Sequence, residues 1–262
     1  MAIAALLLAF GASVIGGICG IGGGVIIKPA LDMIGFASVS AISFLSSCTV
    51  LSMSLYNVGR SLVQKSGALE RGKSDVLAVC AALGGLAGSA AFKALKAAAA
   101  NNRVVGAAQS ILLLLLVLGT LLYTVNKKRI RPRPTDSRAA CGVIGLLLGA
   151  VSSFLGIGGG PFNLVVLHYF LGYETKRAVE NSLTIILLSQ IANLLLTLAT
   201  GSVPAFQPSS LLLMILGGIC GGIVGKAISR RLDGDTVDRL FLGLLVLIML
   251  ICIYNTRKYL LG

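Results

Sequence analysis

Gly20-Ile21-Gly22-Gly23-Gly24 is present twice: the same five residues return as Gly156-Ile157-Gly158-Gly159-Gly160. Each copy ends a long apolar run, residues 2–19 and 139–155, and is followed by a shorter apolar arm, residues 25–34 and 161–171. Four glycines in five positions do not sustain a helix, because each costs about 1 kcal/mol relative to alanine in a helix interior. Paired interruptions of apolar segments at corresponding places in two halves of a chain point to a transport site.

The chain of 262 residues is 56% hydrophobic and 12% charged, against about 25% charged in a soluble domain. It is built for a bilayer. Tryptophan is missing, and Tyr56, Tyr123, Tyr169, Tyr173, Tyr254 and Tyr259, near segment ends, take the interfacial role. The net charge of +13 marks cytoplasmic loops. With no polar domain to carry a basic surface, nucleic acid is not expected as a partner. Cys19, Cys48, Cys80, Cys141, Cys220 and Cys252 stand singly in apolar segments. They read as small packing residues, and neither a metal nor another cofactor is expected. Residues 1–14 lack the basic start of a signal peptide, the first positive charge being Lys28, and are expected to belong to the fold.

The repeat extends beyond the glycines. Leu83-Gly84-Gly85, Gly88 and Lys93-Ala94 align at one constant offset with Leu216-Gly217-Gly218, Gly221 and Lys226-Ala227, the mark of an internal duplication. The expected fold class is an all-α polytopic membrane protein of two homologous halves, residues 1–125 and 139–262. A basic cytoplasmic linker, 126–138, joins them through Lys127, Lys128, Arg129, Arg131, Arg133 and Arg138. Each half holds a glycine-broken helix or re-entrant hairpin plus three transmembrane helices: 40–57, 75–95 and 104–125, then 178–200, 209–229 and 237–256. Gly84/Gly88 and Gly217/Gly221/Gly225 have the spacing that lets helices cross closely.

Charge decides how the halves are oriented. If each glycine segment crosses the membrane once, the halves point the same way and Lys and Arg divide 12 to 10 between the faces. If each is a hairpin that enters and leaves on one side, the halves are inverted. Then 16 positive residues, among them Arg60, Lys65, Arg71, Lys73, the linker, Lys226 and Arg230, face six: Lys28, Lys93, Lys96, Arg103, Arg257 and Lys258. The positive-inside rule favours inverted-topology repeats, with the N-terminus outside. Against this, arms of about 25 Å at 1.5 Å per residue nearly cross the membrane.

A helix that restarts after a break presents free N–H groups and the positive end of its dipole, which suits an anion. Pro161 fits the first position of such a helix, and its counterpart begins near Val25. The expected substrate-binding set is Gly20, Gly22, Gly23, Gly24, Gly156, Gly158, Gly159 and Gly160 with Lys28, Asn163, Ser46, Ser47, Asn181, Ser182 and Thr184. The alternative reading of Lys28 is a snorkelling side chain near an interface, and the hydroxyl stripes read equally as interhelical hydrogen bonds. His168 and Glu180 are candidates for proton coupling; the plainer readings are an interfacial histidine beside Tyr169 and a helix-dipole carboxylate.

The doubled GIGGG, Pro29 after the first copy, the basic central linker and a GGxxG segment in each half resemble the TauE/SafE family of sulfite and organosulfur anion exporters, over nearly the whole chain. The resemblance implies transport of sulfite, a sulfonate or a related anion across the plasma membrane. Lys28, just before Pro29, departs from the apolar residue usual there. The function expected is a secondary transporter for a small sulfur-containing oxyanion, working by alternating access about a midplane site. Its partners are that anion, the lipid bilayer and a coupling ion, proton or sodium, with a homodimer as an open assembly. The rivals are an anion channel and a membrane scaffold without cargo. An enzyme is not expected, because no triad or metal cluster is present and His168 is the single histidine.

Overall fold

A computed structural model describes every residue except Met1, 64–72, 99–101, Lys128, Asp136, Gly158 and Gly262. Lys65, Arg71, Lys128 and Gly158, used above, therefore lie outside the described residues. The described chain forms helices and no strand. They are α1 (Ala2–Cys19), α2 (Gly24–Met33), α3 (Val39–Val63), α4 (Lys73–Ala98), α5 (Asn102–Asn126), α6 (Arg138–Leu155), α7 (Phe162–Leu171), α8 (Thr175–Ala199), α9 (Pro208–Ser229) and α10 (Gly234–Leu261). Seven of these, α3, α4, α5, α6, α8, α9 and α10, are long and apolar enough to cross a membrane. The chain is a multi-pass membrane protein. Several helices outrun the apolar windows read from sequence, because they continue into polar residues such as Arg60 at the end of α3.

The helices pack in a pattern that repeats itself. The first helix of each half lies along the fourth helix of the other, α1 on α9 and α6 on α4, while α3 meets α8 and α5 meets α10. Glycine makes the first two contacts close. A Cβ on Gly84 would stand 1.9 Å from the Leu146 carbonyl oxygen and one on Gly88 2.0 Å from that of Ala150. In the matching seam, Cβ atoms on Gly217, Gly221 and Gly225 would lie 2.7, 2.4 and 2.3 Å from the carbonyl oxygens of Leu6, Phe10 and Val14. Both seams are parallel, residue numbers rising together on the two helices. They join the halves to each other by backbone-to-backbone approach, which only glycine permits.

Both broken helices fold back. Gly20, Gly22 and Gly23 have φ of +71°, +78° and +71°, left-handed values that other residues adopt only at a cost of about 1–2 kcal/mol each. The turn they make lays Gly23 against Ala12 and Gly16. In the second half, α6 ends at Gly156 in the left-handed region, and α7 starts one residue after Pro161, whose own backbone is already helical. The end of α7 returns to where α6 began: the Arg133 and Thr135 amides donate to the Tyr169 and Phe170 carbonyls at 2.9 and 2.8 Å.

Polar ties gather the helix ends into two groups. At the linker end, Lys127 bonds Asp238 at 2.7 Å and Thr175 at 2.8 Å, and Lys226 donates to the Asn57 carbonyl and the Ser61 hydroxyl. At the other end, Lys258 donates to the Asp32 and Met33 carbonyls at 3.1 and 3.3 Å, and Lys93 to Thr200 at 2.6 Å.

The glycine seams give a direct test. Gly88→Leu and Gly221→Leu should each cost about 1–3 kcal/mol by overpacking and lower the melting temperature in detergent. Gly119→Ala, where no atom lies within 4 Å of the new methyl, should not. Equal melting of all three would contradict the seams.

Candidate functional site

The two breaks meet in the middle of the bundle. A Cβ on Gly24 would fall 1.9 Å from the Ile157 carbonyl oxygen, so the start of α2 is pressed against the second break. Gly22 lies between Val50 of α3 and Ile186 of α8, and Gly159 also faces Ile186. Gly20 sits against Val179, and Gly156 sits against Ser43. These last two contacts are repeat counterparts, since 136 residues separate both Gly20 from Gly156 and Ser43 from Val179. Gly160 packs on the Phe162 ring.

Ending α1 and α6 inside the bundle frees carbonyl groups, and side chains from other helices take them up. Ser229 donates to Ile18 at 3.3 Å, and Gln109 donates to Phe154, the repeat counterpart of Ile18, at 2.6 Å. Lys28 donates to the next carbonyl, Leu155, and to Gln109 Oε1, the latter at 2.6 Å. Lys28 is only 3% exposed. It is not a snorkelling lysine: it caps the negative end of α6, an arrangement worth up to about 2 kcal/mol when partly buried.

A cleft of about 320 Å³ opens beside this junction. Its walls are α3, α4 and α8, with Ser43, Ser47, Ser89, Asn193 and Thr197 among its lining, and the buried Ser153 and Gly156 also line it. Lys93 and Lys96, in the last turns of α4, stand toward its mouth. Ser89 is hydrogen-bonded to Asn193 across the cleft. Lys28 lies directly behind Gly156: a Cβ there would be 3.3 Å from the ammonium nitrogen.

Among the described residues, the equivalent positions at the linker end are close-packed. Ser43 and Ser47 are replaced there by Val179 and Leu183, and Asn193, Thr197 and Lys93 by Asn57, Ser61 and Lys226. A Cβ on Gly20 would strike the Val179 backbone at 2.6 Å, one on Gly222 would meet Met53 at 2.5 Å, and Lys226 is bonded to the end of α3. Among the described residues, one sequence motif therefore lines an open polar cleft in one copy and a close-packed seam in the other.

A model of the sulfite exporter TauE/SafE family matches residues 5–251 of this chain. The chain belongs to the TauE/SafE family. No curated protein and no solved structure matches it. In this TauE/SafE protein, Gly156 and Ser47 of the expected site line the cleft, and Lys28 stands behind it. Ser46 and Ser182, repeat counterparts, are fully buried, and neither hydroxyl has a hydrogen-bond partner. The same holds for both amide atoms of Asn163, in the first turn of α7. Groups left so cost about 1–3 kcal/mol each, and they cluster about the breaks. Asn181 and Thr184 turn back on their own helix, to the Arg177 and Glu180 carbonyls. Glu180 has one buried carboxylate oxygen without a partner. His168 is apart from the breaks, bonded to the Tyr123 hydroxyl at 2.8 Å near Lys127 and Asp238.

Four residues outside the expected set belong to the same region. Gln109 and Asp32 join Lys28 in one small cavity. Ser54 and Gln190, repeat counterparts at the 136-residue offset, are buried with unpartnered side-chain atoms. The offset itself is the signal that finds the last pair; no motif marks Gln109. The asymmetry between the ends is also measurable. With the native cysteines replaced, Ser47→Cys should react with a membrane-impermeant thiol reagent several-fold faster than its counterpart Leu183→Cys. Equal rates would mean that the cleft is not open at one end only.

Proposed function

We propose that this TauE/SafE protein is a secondary transporter of a small sulfur-containing oxyanion, sulfite or a sulfonate, that works by alternating access. The observation carrying this reading is the cleft: lysines at the mouth, hydroxyls and an amide along the walls, and a glycine floor with a buried ammonium behind it. Such a sequence attracts an anion, replaces its water with neutral donors and holds it against one fixed positive charge. Hydroxyl and amide donors suit the three oxygens of a sulfite or sulfonate group, whose charge is spread over them. The glycine floor lets backbone and Lys28 approach closely.

Alternating access follows from the repeat. The two seams and the two folded-back segments support inverted halves, residues 1–125 and 139–262, with the linker 126–138 on the cytoplasmic face by its charge. In that orientation the cleft opens outward. Closing it would take Lys93 from Thr200 to Asn193 and Thr197, the partners that correspond to those Lys226 holds at the closed end. Opening the linker end would release Lys226. Each end then adopts the arrangement its counterpart has now, as inverted repeats in transporters do.

Proteoliposomes test the reading. Purified protein should accumulate sulfite or ethanesulfonate in response to an ion gradient, and the Ser47→Cys site should be labelled from the outer face. Gly159→Leu, which would drive a side chain into Ile186 2.3 Å away, should abolish flux while the protein still inserts. Flux that conducts current without dependence on a gradient of a second ion would favour a channel. Normal flux in Gly159→Leu would remove the breaks from the mechanism.

A further inference from the structure

Lys28 does not stand alone behind the cleft floor. Asp32, one helical turn further along α2, is 7% exposed and shares its cavity with Lys28, Pro29, Gln109, Ser110, Cys252 and Asn255. The Tyr259 side chain stands close to the Asp32 carboxyl, whose Oδ1 has no hydrogen-bond partner. An acidic side chain buried in a membrane helix beside a basic one is seldom retained for stability. Capping α6 requires Lys28 alone. The carboxylate is therefore the unexplained member of the pair.

Asp32 is the one carboxyl in the lining of this cavity. From its own helix Lys28 faces it. From α10, Cys252, Lys258 and Tyr259 face it, with Lys258 tied to the backbone carbonyls of Asp32 and Met33. From α5 the cavity receives the neutral Gln109 and Ser110, and Arg103 stands in the first turn of that helix at the same end of the bundle. α1 carries no charged residue, and Arg60, the basic residue of α3, is in its last turn at the other end.

We propose that Asp32 links proton binding to anion binding at the cleft floor. With the carboxyl protonated, the Lys28 ammonium behind Gly156 is uncompensated and holds an anion at Ser43, Ser47 and Ser153. With the carboxylate ionised, the pair is neutral, and the attraction across the glycine floor is largely cancelled. Linkage is reciprocal, so an anion arriving at the floor draws one proton from water onto Asp32. The coupled species is then an anion with a proton, which assigns the coupling ion left open by the transport reading on which this inference rests.

Calorimetric titration of the purified protein with thiosulfate and ethanesulfonate, both fully ionised over roughly pH 5 to pH 8, tests this. Buffers of different ionisation enthalpy report proton uptake. Wild-type affinity should fall at least tenfold across that range, with close to one proton taken up per anion bound. Asp32→Asn should bind at every pH without a slope and without proton uptake. Lys28→Gln should also lose the slope, and its binding should be weak throughout. A wild type that binds without proton uptake, or an Asp32→Asn protein that keeps the wild-type slope, overturns the proposal while leaving anion transport standing. Failure of the folded wild type to bind any sulfur oxyanion at any pH overturns the transport reading as well.

Discussion

A chain that leaves helical geometry inside a bilayer must find partners for the peptide groups it frees, because hydrocarbon offers none. That requirement shapes the centre of this protein. The ends of α1 and α6 expose carbonyl groups, and Ser229, Gln109 and Lys28 take them up from neighbouring helices. The start of α2 presses on Ile157. Each half thus helps to complete the break of the other. The glycine seams between α1 and α9 and between α4 and α6 bring the halves close enough for this to happen.

The same constraint separates the two copies chemically. One helical turn beyond the first break stands Lys28; its counterpart is Leu164. The ammonium serves the second break, behind Gly156, and Leu164 brings no equivalent charge to Gly20. The cleft follows that difference: hydroxyls and Asn193 line the Gly156 side, whereas Val179, Leu183 and Met53 close the Gly20 side. In the proposed transport cycle the halves exchange two related arrangements, and a ligand that favours one shifts the balance by its difference in affinity. In the proposed cycle an anion entering the cleft meets Lys93 and Lys96 first, and the buried charge of Lys28 last.

Much of the architecture was legible in sequence. Two copies of GIGGG, the constant offset of the Gly84 and Gly217 segments and the alternation of apolar runs are enough to lay out ten helices in two sets. Pro161 marks the restart of α7 to within a residue. The packing role of Gly84, Gly88, Gly217, Gly221 and Gly225 follows from spacing alone. The site was legible only in part. Gly156, Ser47 and Lys28 come together as their types suggest, but Asn181 and Thr184 bond their own helix, which spacing along one helix does not reveal. Gln109 and Asp32 reach the junction from helices whose mutual arrangement no local pattern encodes, although a carboxylate four residues after an intramembrane lysine is itself a signal.

The central claim is that the ends of the molecule open in alternation by exchange of equivalent contacts. Electron–electron distance measurements on spin labels decide it. One pair would be placed at Lys96 and Ala199, beside the open cleft, and the counterpart pair at Ser229 and Val63, at the closed end. In liposomes supplied with sulfite, the first distance should shorten and the second lengthen, in the same fraction of molecules. Two distances that change together, or that do not respond to the anion, would contradict the account.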